Sequence, residues 1–112
     1  MTTPGPELEP SAAAALLADS AAILIDVRED DEWAAGHAPD AVHVRLGDLD
    51  PSAYPTEQTV IVVCRSGARS SNAVAALTDA GRTAHNLAGG MKAWNSAGYS
   101  VIADNGAAGS VI

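Results

Sequence analysis

The stretch VIVVCRSGARSSNAVAAL, residues 60–77, holds the only cysteine of a 112-residue chain, and two of the six basic residues lie within five positions of it. A thiol does chemistry as its thiolate. Its free pKa of about 8.5 falls when cations and backbone N–H groups surround it. If residues 64–69 curl, the N–H groups from Arg65 to Ser70 point at the sulfur, and Gly67 permits the turn. Such a ring at the start of a helix is an anion site. Arg65 and Arg69 push the same way, and each guanidinium is a two-pronged donor for an anionic substrate. Ser66 and Ser70 bring hydroxyls that could bond a substrate oxyanion, although loop and cap roles explain them as well. A lone cysteine is ordinarily an inert small hydrophobe. A strand, a polar loop with two arginines and a capped helix around it argue for a reactive one.

The elements that must position this loop follow from hydrophobic pattern. TVIVV, Thr59–Val63, is the most strongly β-like segment and runs directly into Cys64. AILIDV, residues 22–27, is a continuous apolar run of strand length, typical of burial on both faces. AVHV, residues 41–44, and TAHNL, Thr83–Leu87, complete four clear strands, and a short strand is expected around Leu8. Between them lie helix signals. Ser11 stands as an N-cap before AAAALLAD, and Ser70 or Ser71 before a helix that Gly81 follows. EDDEWAAG, residues 29–36, reads as a short helix with an acidic first turn, closed by Gly36. GGMKAWNSAG gives a last short helix from near Gly89 to Gly98, the glycine pair being suited to tight packing near the Cys64 loop. One helical turn is expected at residues 46–49 and a strand fragment within YSVI. Strands alternating with helices imply an α/β fold, a parallel sheet covered on both faces. Residues 1–103 form the expected domain. Residues 104–112 form a glycine-rich tail of linker composition, with docking of Val111 and Ile112 left open.

Composition narrows the function. Six basic against fourteen acidic residues give a net charge of −8, which argues against a binder of nucleic acid or an anionic membrane, since either needs a basic face. One cysteine forms no internal disulfide, and the first ten residues lack a signal-peptide pattern. A cytoplasmic protein, with its thiol kept reduced, is the expectation. Three scattered histidines and one cysteine have no metal-ligand spacing, so no metal is expected.

Asp26 and Arg28 fall on the same sheet edge as Cys64. Support of the loop is expected from Asp26 as an acceptor and from Arg28 paired with Glu29 or Glu32, against the bland alternative of a solvated ion pair. His37, in a Gly-His turn, is expected to bond backbone locally rather than act as an acid or base. His43 and His85 read as packing or surface residues, and Trp33 and Trp94 as core or pocket-edge packing.

Spacing separates two anion chemistries. Cysteine-dependent phosphatases place five residues between cysteine and arginine, whereas four separate Cys64 from Arg69. The smaller ring suits a single bound sulfur better than a tetrahedral oxyanion. Three motifs then share one family order. LIDVREDDEWAAGHAPDAVHV resembles the rhodanese signature, CRSGARSSNA its six-residue active loop, and AGGMKAWNSAG its closing Gly-Gly-x-x-x-Trp-x-x-x-Gly element. Ala38 departs from the larger aliphatic usual after Gly-His, and Asp40 from a frequent glycine. The resemblance implies a three-layer fold with a central five-stranded parallel sheet and helices on both faces. It also implies thiosulfate sulfurtransferase activity without a cofactor: Cys64 as nucleophile, and Arg65, Ser66, Gly67, Ala68 and Arg69 as an amide cradle around a persulfide. The expected partners are a small sulfur-containing anion and a thiol or cyanide acceptor, with a sulfur-accepting protein as a further candidate. Two other readings stand beside it: a rhodanese-like module that delivers sulfur to or regulates a protein partner, and a small arsenate reductase or phosphatase.

Overall fold

The computed structural model describes residues 7–112. The proline- and glycine-bearing lead through residue 6, and with it the start of the expected 1–103 domain, lies outside the described residues. Five parallel strands form one sheet in the order β1-β5-β4-β2-β3. They are β1 (Glu7–Leu8), β2 (Ile23–Asp26), β3 (Ala41–His43), β4 (Thr59–Val63) and β5 (Thr83–Leu87), joined through α1 (Pro10–Ala18), α2 (Asp30–Ala35), α3 (Ala68–Asp79) and α4 (Gly90–Ser96). Three-residue 3₁₀ turns at Leu46–Asp48 and Pro51–Ala53 carry the chain from β3 to β4.

β4 is the central strand because both of its faces are apolar. Val60, Ile61, Val62 and Val63 are all 0% exposed, each contributing roughly 1.5–3 kcal/mol by burial. Its side chains alternate between two cores. Ile61 and Val63 join Leu24, Ala13, Met91 and Trp94 beneath α1 and α4. Val60 and Val62 join Ile25, Ala73, Val74 and Leu77 beneath α3. Helices therefore cover both faces, as the strand–helix alternation implies. Ala38, small for its place in the motif, is 1% exposed in the first core.

Two helix starts differ from expectation. α1 begins at Pro10 with Glu9 at its cap, not at Ser11; the ring of a first-turn proline already holds the helical φ. α3 begins at Ala68 rather than after Ser70 or Ser71, because Gly67 turns into the left-handed region (φ 117°) and serves as the cap residue. Ser70 is thereby drawn inside the first turn and fully buried.

The C-terminal segment packs instead of trailing. His37 and Ile102 exchange two backbone hydrogen bonds of 2.9 Å, and Ile102 bridges Ala108. The Ser110 N–H donates to the Ala35 carbonyl at 2.9 Å, and Val111 reaches the first core. Glycine serves close approach here: a Cβ on Gly36 would overlap the Ser110 backbone, and one on Gly109 would meet the Gly36 Cα at 2.8 Å.

α4 docks on the Cys64 loop in the same way. The Met91 and Lys92 N–H groups donate to the Cys64 and Arg65 carbonyls at 2.8 and 3.1 Å. A Cβ on Gly90 (φ 63°) would sit 2.5 Å from the Arg65 oxygen and 2.6 Å from that of Cys64. Gly90→Ala should therefore cost about 2–5 kcal/mol in urea unfolding, from left-handed strain and overpacking combined. Gly47→Ala, with nothing within 4 Å of its Cβ, should stay within about 0.5 kcal/mol of the parent.

Candidate active site

Cys64 follows the last residue of β4 and is 1% exposed. The parallel sheet brings the ends of β2, β4 and β5 side by side, so Asp26, Cys64 and Asn86 share one edge. Ligands bind at this carboxyl edge in open α/β sheets.

The donors on the sulfur are few and close. The Gly67 N–H reaches Cys64 Sγ at 3.0 Å and the Ser70 hydroxyl at 3.2 Å. Burial alone pushes the thiol up. The Ser70 hydroxyl and amide, then the Gly67 and Ser66 amides, more than offset that and carry it below its ordinary value. The sequence pattern credited Arg65 and Arg69 with part of this effect. The hydroxyl and the amides are the larger contributors, while Arg69 interacts with the Cys64 charge even though Glu32 grips it. The Arg65 Nε donates to the Ile112 carbonyl at 2.9 Å, and the side chain is exposed. Arg69 grips Glu32, Nη1 to Oε1 at 2.7 Å and Nη2 to Oε2 at 2.8 Å. Ser66 and Ala68 complete the turn between strand and helix.

Ser70 carries one hydroxyl proton and faces three acceptors: Cys64 Sγ, the Gly67 carbonyl at 3.2 Å and Asn86 Oδ1 at 2.5 Å. That proton serves one of them at a time. Asn86 secures the rest, its Nδ2 donating to the Gly67 carbonyl at 3.0 Å and to Ser71 Oγ at 3.2 Å. The loop is thus tied to β5 by a side chain that is 3% exposed. Sequence reasoning passed over Asn86. Its signal was a lone amide in an otherwise packable strand, TAHNL, immediately before the glycine pair.

Asp26 and Arg28 pair with each other, not with Glu29 or Glu32. Arg28 Nη2 lies 2.8 Å from Asp26 Oδ2 and Nε 3.0 Å from Oδ1, and both side chains are 0% exposed. The Arg28 backbone N–H adds a bond to Oδ1 at 3.0 Å, and Nη2 also donates to the Gly36 carbonyl at 2.7 Å. Two residues apart at a strand end, the fork meets its carboxylate before any helix residue can. The pair is buried, so the solvated alternative fails too. Removing one partner leaves an uncompensated buried charge.

Around this pair stand the aromatic residues. Trp33 is stacked between His37, with centroids 3.6 Å apart and planes 2° from parallel, and His43, at 4.8 Å and 6°. His37 Nδ1 bonds the Trp33 carbonyl at 2.8 Å and His43 Nε2 the Arg28 carbonyl at 2.7 Å, so both rings hold the β2–β3 connection. Trp94 is 6% exposed beneath α4. Among the described residues no His, Cys, Asp and Glu group of three or more could hold a metal ion, and no helix is long and apolar enough to cross a membrane.

A parallel five-stranded α/β sheet with a cysteine-bearing loop between its central strand and the following helix defines a class, and sequence comparison agrees. The rhodanese-like domain family matches residues 9–97, and the chain belongs to that family. Among individual relatives, "Putative sulfurtransferase YtwF" of Bacillus subtilis (strain 168) is 45% identical over 80 residues, covering 69% of this chain and 77% of the relative. A sulfurtransferase of Allochromatium vinosum is 38% identical over 87 residues, covering 75% and 81%. The human single-domain sulfurtransferase TSTD1 superposes with a TM-score of 0.73 at 27% identity, over 82% of this chain and 96% of that one.

Two measurements test this geometry. In Ser70→Ala the loss of the hydroxyl should raise the Cys64 pKa, so the pH profile of alkylation by iodoacetamide moves to higher pH. Arg28→Met should lose about 3–5 kcal/mol of stability in denaturant unfolding, with the stranded Asp26 carboxylate as the cause.

Proposed function

We propose that this domain is a thiosulfate sulfurtransferase working through a Cys64 persulfide. The observation that carries the reading is the tight ring: Gly67 N–H and Ser70 Oγ stand 3.0 and 3.2 Å from Sγ, with α3 already started at Ala68. This ring is scaled to sulfur rather than to a phosphate or arsenate.

The Cys64 thiolate attacks the outer sulfur of thiosulfate. The S–S bond to the sulfonate sulfur breaks, sulfite leaves with the bonding electron pair, and Cys64–S–S⁻ remains. A nucleophilic acceptor, cyanide or a thiolate, then takes the outer sulfur and returns Cys64 to its thiolate. No step needs an added oxidant, reductant or cofactor. The Gly67, Ser66 and Ser70 donors that stabilise the thiolate also stabilise the persulfide anion. Two transfers through one covalent intermediate give ping-pong kinetics. Asp26 and Arg28 act as support for the loop and not on the sulfur. A reducing compartment such as the cytoplasm suits a thiol that must be regenerated.

Intact-mass spectrometry after incubation with thiosulfate tests the reading. One sulfur atom should be gained on Cys64 and removed by cyanide, and Cys64→Ser should gain nothing. Aryl phosphate hydrolysis without sulfur gain would sink the proposal. Loading from thiosulfate that only a protein acceptor discharges would shift the acceptor alone.

A further inference from the structure

Glu32 has no part in the steps above, yet it occupies both prongs of the arginine that closes the Cys64 loop. Its carboxylate is fixed from its own side as well. α2 begins with a capping box, in which Glu32 Oε1 accepts the Glu29 N–H at 3.1 Å. The side chain is 14% exposed and that of Arg69 is 36% exposed, so the pair is only partly screened by water. The Arg69 guanidinium holds the Glu32 carboxyl down to about 2. The pair is therefore charged at every pH at which a thiol ionises.

Charges around Cys64 then cancel in a specific way. Asp26 neutralises Arg28, and Glu32 neutralises Arg69. The Arg65 side chain is exposed, its Nε donating to the Ile112 main-chain oxygen. The thiolate thus sits beside a neutralised Arg69 in a chain of net charge −8. That is a poor setting for a dianion approaching another anion, and releasing one guanidinium would change it.

We propose that Glu32 is a specificity-determining residue: by holding Arg69 it restrains the reaction of Cys64 with dianionic donors, thiosulfate included, relative to sulfane donors of lower charge. The donor consequence rests on the sulfur-transfer reading; the charge screen itself is a property of the thiol and is measurable without it. Glu32 acts through Arg69 and touches no reacting atom. Removing one nearby charge corresponds to a change on the order of threefold per unit of reagent charge.

The test compares alkylation of Cys64 by iodoacetate, an anion, with that by neutral iodoacetamide, at a pH above the thiol's pKa and read by intact mass. Each reagent forms one S–C bond and releases iodide. In Glu32→Gln the iodoacetate-to-iodoacetamide rate ratio should rise about threefold at low ionic strength and converge on the parent value near ~1 M salt. Glu32→Asp, which keeps the charge, should stay near the parent. Glu32→Gln with Arg69→Gln should return to it, a cycle that assigns the effect to the pair. Arg69→Gln alone, which frees the carboxylate, should lower the ratio, and this variant decides the question if Glu32→Gln does not fold. A loosened loop would change both reagents together, so an unchanged ratio in Glu32→Gln and Arg69→Gln overturns the proposal. In turnover, Glu32→Gln should raise kcat/KM for thiosulfate roughly five- to tenfold, while discharge of the persulfide to dithiothreitol, which reacts as a monoanionic thiolate, rises only about threefold. A shifted ratio with no sulfur loading in any variant would retain the charge screen and reject the sulfur-transfer reading; loading with an unshifted ratio would do the reverse.

Discussion

The site depends on a loop whose backbone is claimed from two sides at once. On one side, the first N–H groups of α4 take the carbonyls of Cys64 and Arg65. On the other, Gly67 and Ser70 turn their own donors onto the sulfur. A carbonyl that points at α4 obliges the rest of its peptide to point away from it. The outward pull on the C=O groups therefore directs the loop's N–H groups inward. Gly90 makes the first possible by letting α4 come within contact of the loop, and Gly67 makes the second possible by reversing the chain in the left-handed region. Gly90 acts from outside the loop, while Gly67 also places its own N–H on the sulfur.

That division explains why the thiol is activated mainly by neutral groups. A cation lowers a thiol's pKa over several ångströms but also pairs with any acid in reach, and Arg69 does so with Glu32. An N–H or O–H aimed from 3.0 to 3.2 Å has no competing carboxylate and needs no counter-charge. Burial alone would push the Cys64 thiol up. The local donors outweigh it because they are fixed in place by β4, α3 and Asn86 before the proton leaves.

Much of this was legible in the sequence where the information is local. β2 and β4 lie where their apolar runs lie, because a buried parallel strand has apolar residues on both faces. The position of Cys64 at the strand end followed directly, and so did the glycine pair's role in close packing. What was not legible depends on pairs distant in sequence. Glu32 and Arg69 are separated by 37 positions, and nothing in EDDEWAAG distinguishes Glu32 from its three acidic neighbours. Asp26 and Arg28 are close in sequence, but their mutual burial is not: only the sheet and the Gly36 carbonyl enclose them. Residues 104–112 misled for another reason. Glycine permits both a flexible linker and backbone-to-backbone contact, and composition cannot distinguish the two. Here Gly36 and Gly109 use it for contact.

The same sheet edge thus holds two kinds of polar organisation with different purposes. The Asp26–Arg28 pair is sealed and also holds the Gly36 carbonyl, with Arg28 Nη1 buried and without a hydrogen-bond partner. The Ser70–Asn86–Gly67 set is left with one proton for three acceptors, so its preference follows the charge on the sulfur: Asn86 Oδ1 at 2.5 Å is the nearest acceptor, while an ionised Sγ is the stronger one. A hydroxyl that can change acceptor without moving its heavy atoms suits the thiolate and persulfide forms of the proposed transfer. The sealed pair meanwhile holds the β2 edge beside it.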